Sequence, residues 1–232
     1  MRRLASLLAL TAALFATPAR AAPPDPVDFL FRIGMMEGHL MIGRELLDAN
    51  QPSLALPHYG HPVRELYDDI APWLEANHVA RFDTALVRLE AAAATAPAAP
   101  ATRALHDEVI AALHAARATA PAALRESIPA MIRICADTVD AAAGEYGQAV
   151  NRGRIDSPVE YHDSRGYLAY VETQLTAMRP VTPEQTALVS GFSAVLAKAR
   201  WIVAPLLPPD PPRASVTQYR AIAAEAGRAA GK

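Results

Sequence analysis

The chain has 232 residues, with 22 Lys and Arg set against 24 Asp and Glu, 20 prolines and one cysteine. A formal charge of −2 disfavours nucleic acid and anionic membrane surfaces as partners, and a lone Cys135 cannot close an intramolecular disulfide. Alanine dominates while β-branched and aromatic residues are few, which favours helix over strand.

The first segment carries Arg2 and Arg3, an apolar run from Leu4 to Phe15, and then Ala19-Arg20-Ala21. This order of charge, apolar run and small residues predicts a secretory signal cleaved after Ala21, and so a periplasmic protein. The apolar run is shorter than the roughly 20 residues that span a bilayer. No cysteine stands beside the cleavage position to be acylated, so no membrane anchor is expected. Removal of residues 1–21 leaves 19 basic residues against 24 acidic ones, a formal charge of −5.

Prolines mark the helix starts that follow. Asp25-Pro26-Val27-Asp28, Ser157-Pro158-Val159-Glu160 and Thr182-Pro183-Glu184-Gln185 each combine a capping side chain, a proline at the first helical position and an acid or amide at N3. His61-Pro62 reads as a fourth start. The predicted helices are Pro26 to Ala49; Pro62 to about Ala94, interrupted near Pro72; Thr102 to Ala118; Ala122 to Arg152; Pro158 to Met178; and Pro183 to Ala204. A stiff segment, Pro205 to Pro212, leads to a last short helix from Ser215 to Arg228. The expected fold is all-α, an antiparallel up-and-down bundle of about six helices. Its organisation is a signal over 1–21, a bundle over 22–204, and a proline-rich segment with a short helix over 205–232. A short echo, Glu37 to Gly43 then His61-Pro62 against Glu145 to Val150 then Ser157-Pro158, fits two hairpins related by duplication.

Candidate chemistry concentrates in two stretches. His58 and His61 stand three apart in the predicted loop Leu56 to Pro62, and Glu65 follows one turn later. His39 lies on the inward stripe of the first helix with Met35 one turn before it and Met36 beside it. Imidazole, carboxylate and thioether at these separations can converge on a transition metal, with iron or copper preferred. Glu145, Glu160 and Asp163 from the second hairpin are the residues expected to join them. The plain alternatives are core packing for Met35 and Met36, a satisfied core role for His39, and helix capping for His61. A second stretch, Glu160 to Tyr167, is dense in titratable groups; dipole and capping account for Glu160 and Asp163 but leave His162, Arg165 and the tyrosines without a role. Gly34 and Gly38, and Gly144 and Gly147, mark helix faces expected to approach a neighbour closely.

Other patterns are absent. No C-x-x-C-H predicts covalent haem, and neither a P-loop nor G-x-G-x-x-G predicts a nucleotide. Glu75 to His78 is a solitary E-x-x-H, whereas di-metal bundles use two. Gly38-His39 followed by Glu45 departs in both spacings from the G-x-H-x-x-E motif of the imelysin-like exported helical proteins, and no residue is carried over from them. No nucleophile and base can be paired by spacing, so no catalytic residue is assigned. The expected partner is a metal ion, or another envelope protein docking on the helical faces and the Pro205 to Pro212 arm.

Overall fold

Local chemistry starts the helices where the prolines predict. In the computed structural model, which describes residues 22–232, the Asp25 carboxylate accepts from the amides of Val27 (2.8 Å) and Asp28 (3.1 Å) and opens α1 (Pro26–Asp48). Thr182 caps α9 (Pro183–Ile202) through the Gln185 amide at 3.2 Å. Before α8 (Pro158–Ala177) the capping box takes another form: the Ser157 hydroxyl donates to the Glu160 carboxylate instead of accepting from the backbone. A complete box, Ser215 with Gln218, opens α10 (Val216–Ala229). The signal read over residues 1–21 lies outside the described residues.

Two long predicted helices are divided. The second begins earlier, at Pro52, so that the predicted loop Leu56 to Pro62 is helical. It runs as α2 (Pro52–His61), a π-helical turn Pro62–Leu66, and α3 (Tyr67–Ala76). Pro62 has no amide to close the i→i+4 ladder, and the wider turn absorbs the missing bond. Pro72 lies inside α3, and the break falls instead at Asn77–Phe82, where His78 takes a positive φ of 57°. α4 (Asp83–Thr95) and α5 (Pro100–Ala118) follow. The fourth predicted helix splits into α6 (Ala122–Arg125) and α7 (Ile128–Ala149), because Pro129 interrupts the ladder and Ser127 recaps the chain through the Ala130 amide. A two-residue turn with positive φ at Arg152 and Gly153 joins β1 (Val150–Asn151) to β2 (Arg154–Ile155), a ribbon of two antiparallel pairs.

The helices form two rings that share a wall. α1, α2, α4 and α5 each pack on the next and close around one apolar cluster, holding Phe29, Ile33, Leu40, Tyr59, Leu86 and Leu113. α7, α8, α9 and α10 close around a second cluster, holding Val139, Tyr146, Leu168, Phe192 and Tyr219. The rings meet mainly along α1 and α8. The fold is an all-α bundle, and among the described residues no helix is long and apolar enough to cross a membrane.

Glycine sets the closeness of the shared wall. A Cβ on Gly166 would lie 2.4 Å from the Gly38 carbonyl oxygen, so α8 and α1 touch backbone to backbone. Gly34 similarly admits the Tyr170 ring. A Cβ on Gly144 would meet nothing within 4 Å and one on Gly147 only ordinary contacts, so the close approach expected of that pair is not made.

Candidate metal centre

The Gly38–Gly166 contact places the side chains beside it opposite one another. His39 follows Gly38 on α1; Asp163 precedes Gly166 on α8 by three residues, and Tyr167 follows it. Asp163 and Tyr167 are four apart and share a helix face. α2 packs on α1 and brings His58 and His61, which a helix three residues apart also presents on one side.

Asp163 is the hub. Its Oδ1 lies 2.7 Å from Nδ1 of His39 and 2.7 Å from Nδ1 of His58, and its Oδ2 lies 3.3 Å from Nδ1 of His61. An ionised carboxylate only accepts, so Nδ1 of His39 and of His58 carry protons, and the Tyr167 hydroxyl is hydrogen-bonded to Nε2 of His39 at 2.9 Å. His39, His58 and Asp163 are buried and His61 is 16% exposed at its side chain, which makes His61 the member of the group nearest solvent.

Burial works on each group differently. It would raise the Asp163 carboxyl, but the His39 ring against it and the close approach of His58 and His61 outweigh burial and hold Asp163 well below the usual carboxylate range. The same burial lowers His58, with Asp163 opposing, whereas the hydrogen bond to Asp163 raises the less deeply buried His61. The constellation is a buried carboxylate surrounded by imidazoles.

Such a set suits a cation. One donor atom from each of His39, His58, His61 and Asp163 lies within 4.8 Å of the other three, a span that side-chain rotation can close to bonds of about 2.0–2.2 Å. His58 Nε2 is buried without a hydrogen-bond partner, and His61 Nδ1 has only the 3.3 Å approach of Asp163 Oδ2, a state that costs free energy unless something else satisfies them. Tyr167 would then hold the His39 ring through the nitrogen that does not face the carboxylate, as the outer partners of ligating histidines do.

The other predicted residues fall around this group. Glu65 approaches His61, with Oε1 3.8 Å from Nε2, and is exposed. Glu145 is half-buried, and burial together with the charges of Asp163, Glu160 and Glu65 pushes its carboxyl up to about 7. Glu160 is occupied by the Ser157 hydroxyl. Glu65 and Glu145 therefore lie toward His61, with Glu160 beside Glu145. Met35 packs against both apolar clusters and Met36 is fully buried among apolar neighbours. His78 is exposed beyond the end of α3, apart from the centre.

The remaining polar groups of Glu160 to Tyr167 have structural work. The His162 Nε2 donates to the Leu206 carbonyl at 2.9 Å, the Tyr161 hydroxyl to the Pro205 carbonyl at 2.8 Å, and Arg165 Nη1 to the Val203 and Ala204 carbonyls, both at 2.7 Å. They pin the irregular segment after α9 to α8. Arg165 also holds Glu45 of α1 through Nε at 3.0 Å, so the same side chain fastens the two rings. Sequence reasoning left Tyr167 without a role, although its four-residue spacing from Asp163 was the available signal.

A family model described as an iron permease-associated 4-helix bundle domain matches residues 121–209. That span, under half of the chain, runs from α6 through α9 and includes Asp163 and Tyr167 but none of His39, His58 and His61. No curated protein matches, and no solved structure matches.

Proposed function

We propose that this chain is an exported helical-bundle protein that binds one transition-metal ion, iron above others, through His39, His58, His61 and Asp163. The observation that carries the proposal is the convergence of three imidazoles from α1 and α2 on one buried carboxylate of α8. Three nitrogens and one oxygen are borderline donors that suit Fe(II), Zn(II) or Cu(II) better than Cu(I), which selects thiolate and thioether. Iron is preferred because the α6 to α9 segment is similar to a domain associated with iron permeases. A membrane iron permease is accordingly the partner class that fits.

The residues divide the work. Asp163 supplies the negative charge that offsets the ion, the three histidines would supply neutral donors with their single ring proton on the nitrogen turned away from the ion, and Tyr167 fixes the orientation of His39 by accepting from that outer nitrogen. Glu65, Glu145 and Glu160 draw cations to the His61 side, where the centre is nearest solvent.

The test is anaerobic titration of the metal-free protein with Fe(II), beside Zn(II) and Cu(II), with bound metal counted by elemental analysis. One ion per chain is expected, lost in the His58→Ala/His61→Ala double variant. Sub-stoichiometric metal that is unchanged in the double variant would overturn the proposal.

A further inference from the structure

A second site lies at the opposite end of α8. Gln174 stands eleven residues beyond Asp163, about 16 Å further along the helix axis. There a groove of about 440 Å³ opens between the end of α5, the α6 segment, the first turn of α7 and the start of α9. Its volume is that of a small-molecule site.

The groove is basic in an acidic chain. Arg117, Arg125 and Arg179 line it against one acid, Glu126. Each guanidinium bonds a neutral protein oxygen: Arg117 that of the Gln174 side chain, Arg125 the Ala120 carbonyl at 2.8 Å, and Arg179 the Thr176 carbonyl at 2.7 Å. None of the three makes an ion pair among the described residues, whereas Arg32, Arg44, Arg165 and Arg200 each do. An arginine carries five donors, so each keeps several for a ligand. Gln174 is 6% exposed, and with its oxygen taken by Arg117 its amide nitrogen is left to donate.

The backbone adds to this field. Ile128 and Met131 bring the first turn of the 22-residue α7 to the groove, and Gln185 is the N3 residue of the 20-residue α9. Helix N-termini carry partial positive charge, so both favour an anion. The floor, by contrast, is apolar, with Ile128, Met131 and Met178.

We propose that this groove binds a small organic polycarboxylate, its carboxylates held by Arg117, Arg125 and Arg179 and its hydrocarbon frame on the apolar floor. Planar guanidinium matches carboxylate in paired hydrogen bonds, which favours two or more carboxylates over a single one. The apolar floor favours a carbon skeleton over an inorganic ion. This inference is independent of the metal centre, since no residue is shared.

Calorimetric titration of the metal-free chain with propane-1,2,3-tricarboxylate, acetate and inorganic phosphate tests it. The tricarboxylate is expected to bind at least tenfold more tightly than acetate or phosphate, and more weakly as salt rises. Arg125→Gln/Arg179→Gln is expected to weaken it tenfold or more with unchanged helical circular dichroism, as is Arg117→Gln. The His58→Ala/His61→Ala variant should bind it as wild type does. No heat of binding at millimolar tricarboxylate, affinity unchanged in the arginine variants, or phosphate binding as tightly would each overturn the proposal.

Discussion

Asp163 is where a single substitution says most. It is 4% exposed and faces His39, His58 and His61, so Asp163→Asn removes a buried charge that three imidazoles share. Breaking such a group typically costs about 3–5 kcal/mol. The expected outcome is a lower urea midpoint for the metal-free chain and loss of stoichiometric Fe(II) binding. Tyr167→Phe is the milder partner experiment. It deletes only the hydroxyl that meets Nε2 of His39, so metal affinity should fall about 10–100-fold while the fold stays intact. Equal affinity in Tyr167→Phe would show that the hydroxyl does not orient the ligand.

Buried histidines also set a pH dependence. Burial lowers His106, and it lowers His162 to about 4. For both, the unfolded chain takes up protons first, near the ordinary value of about 6.5, so stability is fully present above that pH and falls as pH drops toward 4. His162 alone is worth about 3 kcal/mol on this reckoning. His61 acts in the other sense, since its raised value stabilises the fold below pH 6.5 and is lost as pH climbs. Urea midpoints of the metal-free chain between pH 7 and 4 should therefore decline. A flat profile would mean that the folded and unfolded chains take up equal numbers of protons over this range, against the lowering of His106 and His162.

At the scale of elements, the α1–α8 contact decides whether the centre exists. Gly166→Ala would drive a methyl into the Gly38 carbonyl, a backbone atom that cannot swing aside. Overpacking of this kind costs about 1–3 kcal/mol. Metal affinity should fall with it, though no ligand is altered, because α1 and α8 move apart. Gly144→Ala is the control in a neighbouring helix: the space is open, and removing a mid-helix glycine should stabilise by about 0.5–1 kcal/mol. Thermal denaturation of both variants with Fe(II) titration separates the two effects. The elements also show what was legible beforehand. Asp25-Pro26 and Thr182-Pro183 announce their helices because capping is a matter of three or four neighbouring residues. Pro57 and Pro62 mislead, since a proline is read as a boundary, while tertiary packing carries α2 through Pro57 and lets a π turn absorb Pro62. For the same reason His58 and His61 are helical, not loop, residues. Their meeting with Asp163 depends on two glycines 128 residues apart in sequence, and no local pattern encodes that contact.

For the molecule as a whole, the four candidate ligands come from both rings: His39, His58 and His61 from the first and Asp163 from the second. An ion held by all four ties the rings together, and binding to the folded state alone stabilises it by about 2.7 kcal/mol at a free concentration one hundred times Kd. Saturating Fe(II) should raise the melting temperature of the wild-type chain and leave His58→Ala/His61→Ala unmoved. Residues 121–209, the part similar to the permease-associated bundle, test the same dependence from the other side. That segment keeps α7, α8 and α9 but lacks α10, which closes the second ring with Tyr219, Ala223 and Ala226, and lacks α1, which covers α8. It also keeps Asp163 without its three histidines, a buried carboxylate stripped of every imidazole that offsets its burial. Expressed alone, it should expose apolar surface to a hydrophobic dye, lose near-ultraviolet circular dichroism and bind no stoichiometric Fe(II). A well-packed segment that still takes up one ion would place the metal chemistry within α7 to α9 and remove His39, His58 and His61 from it.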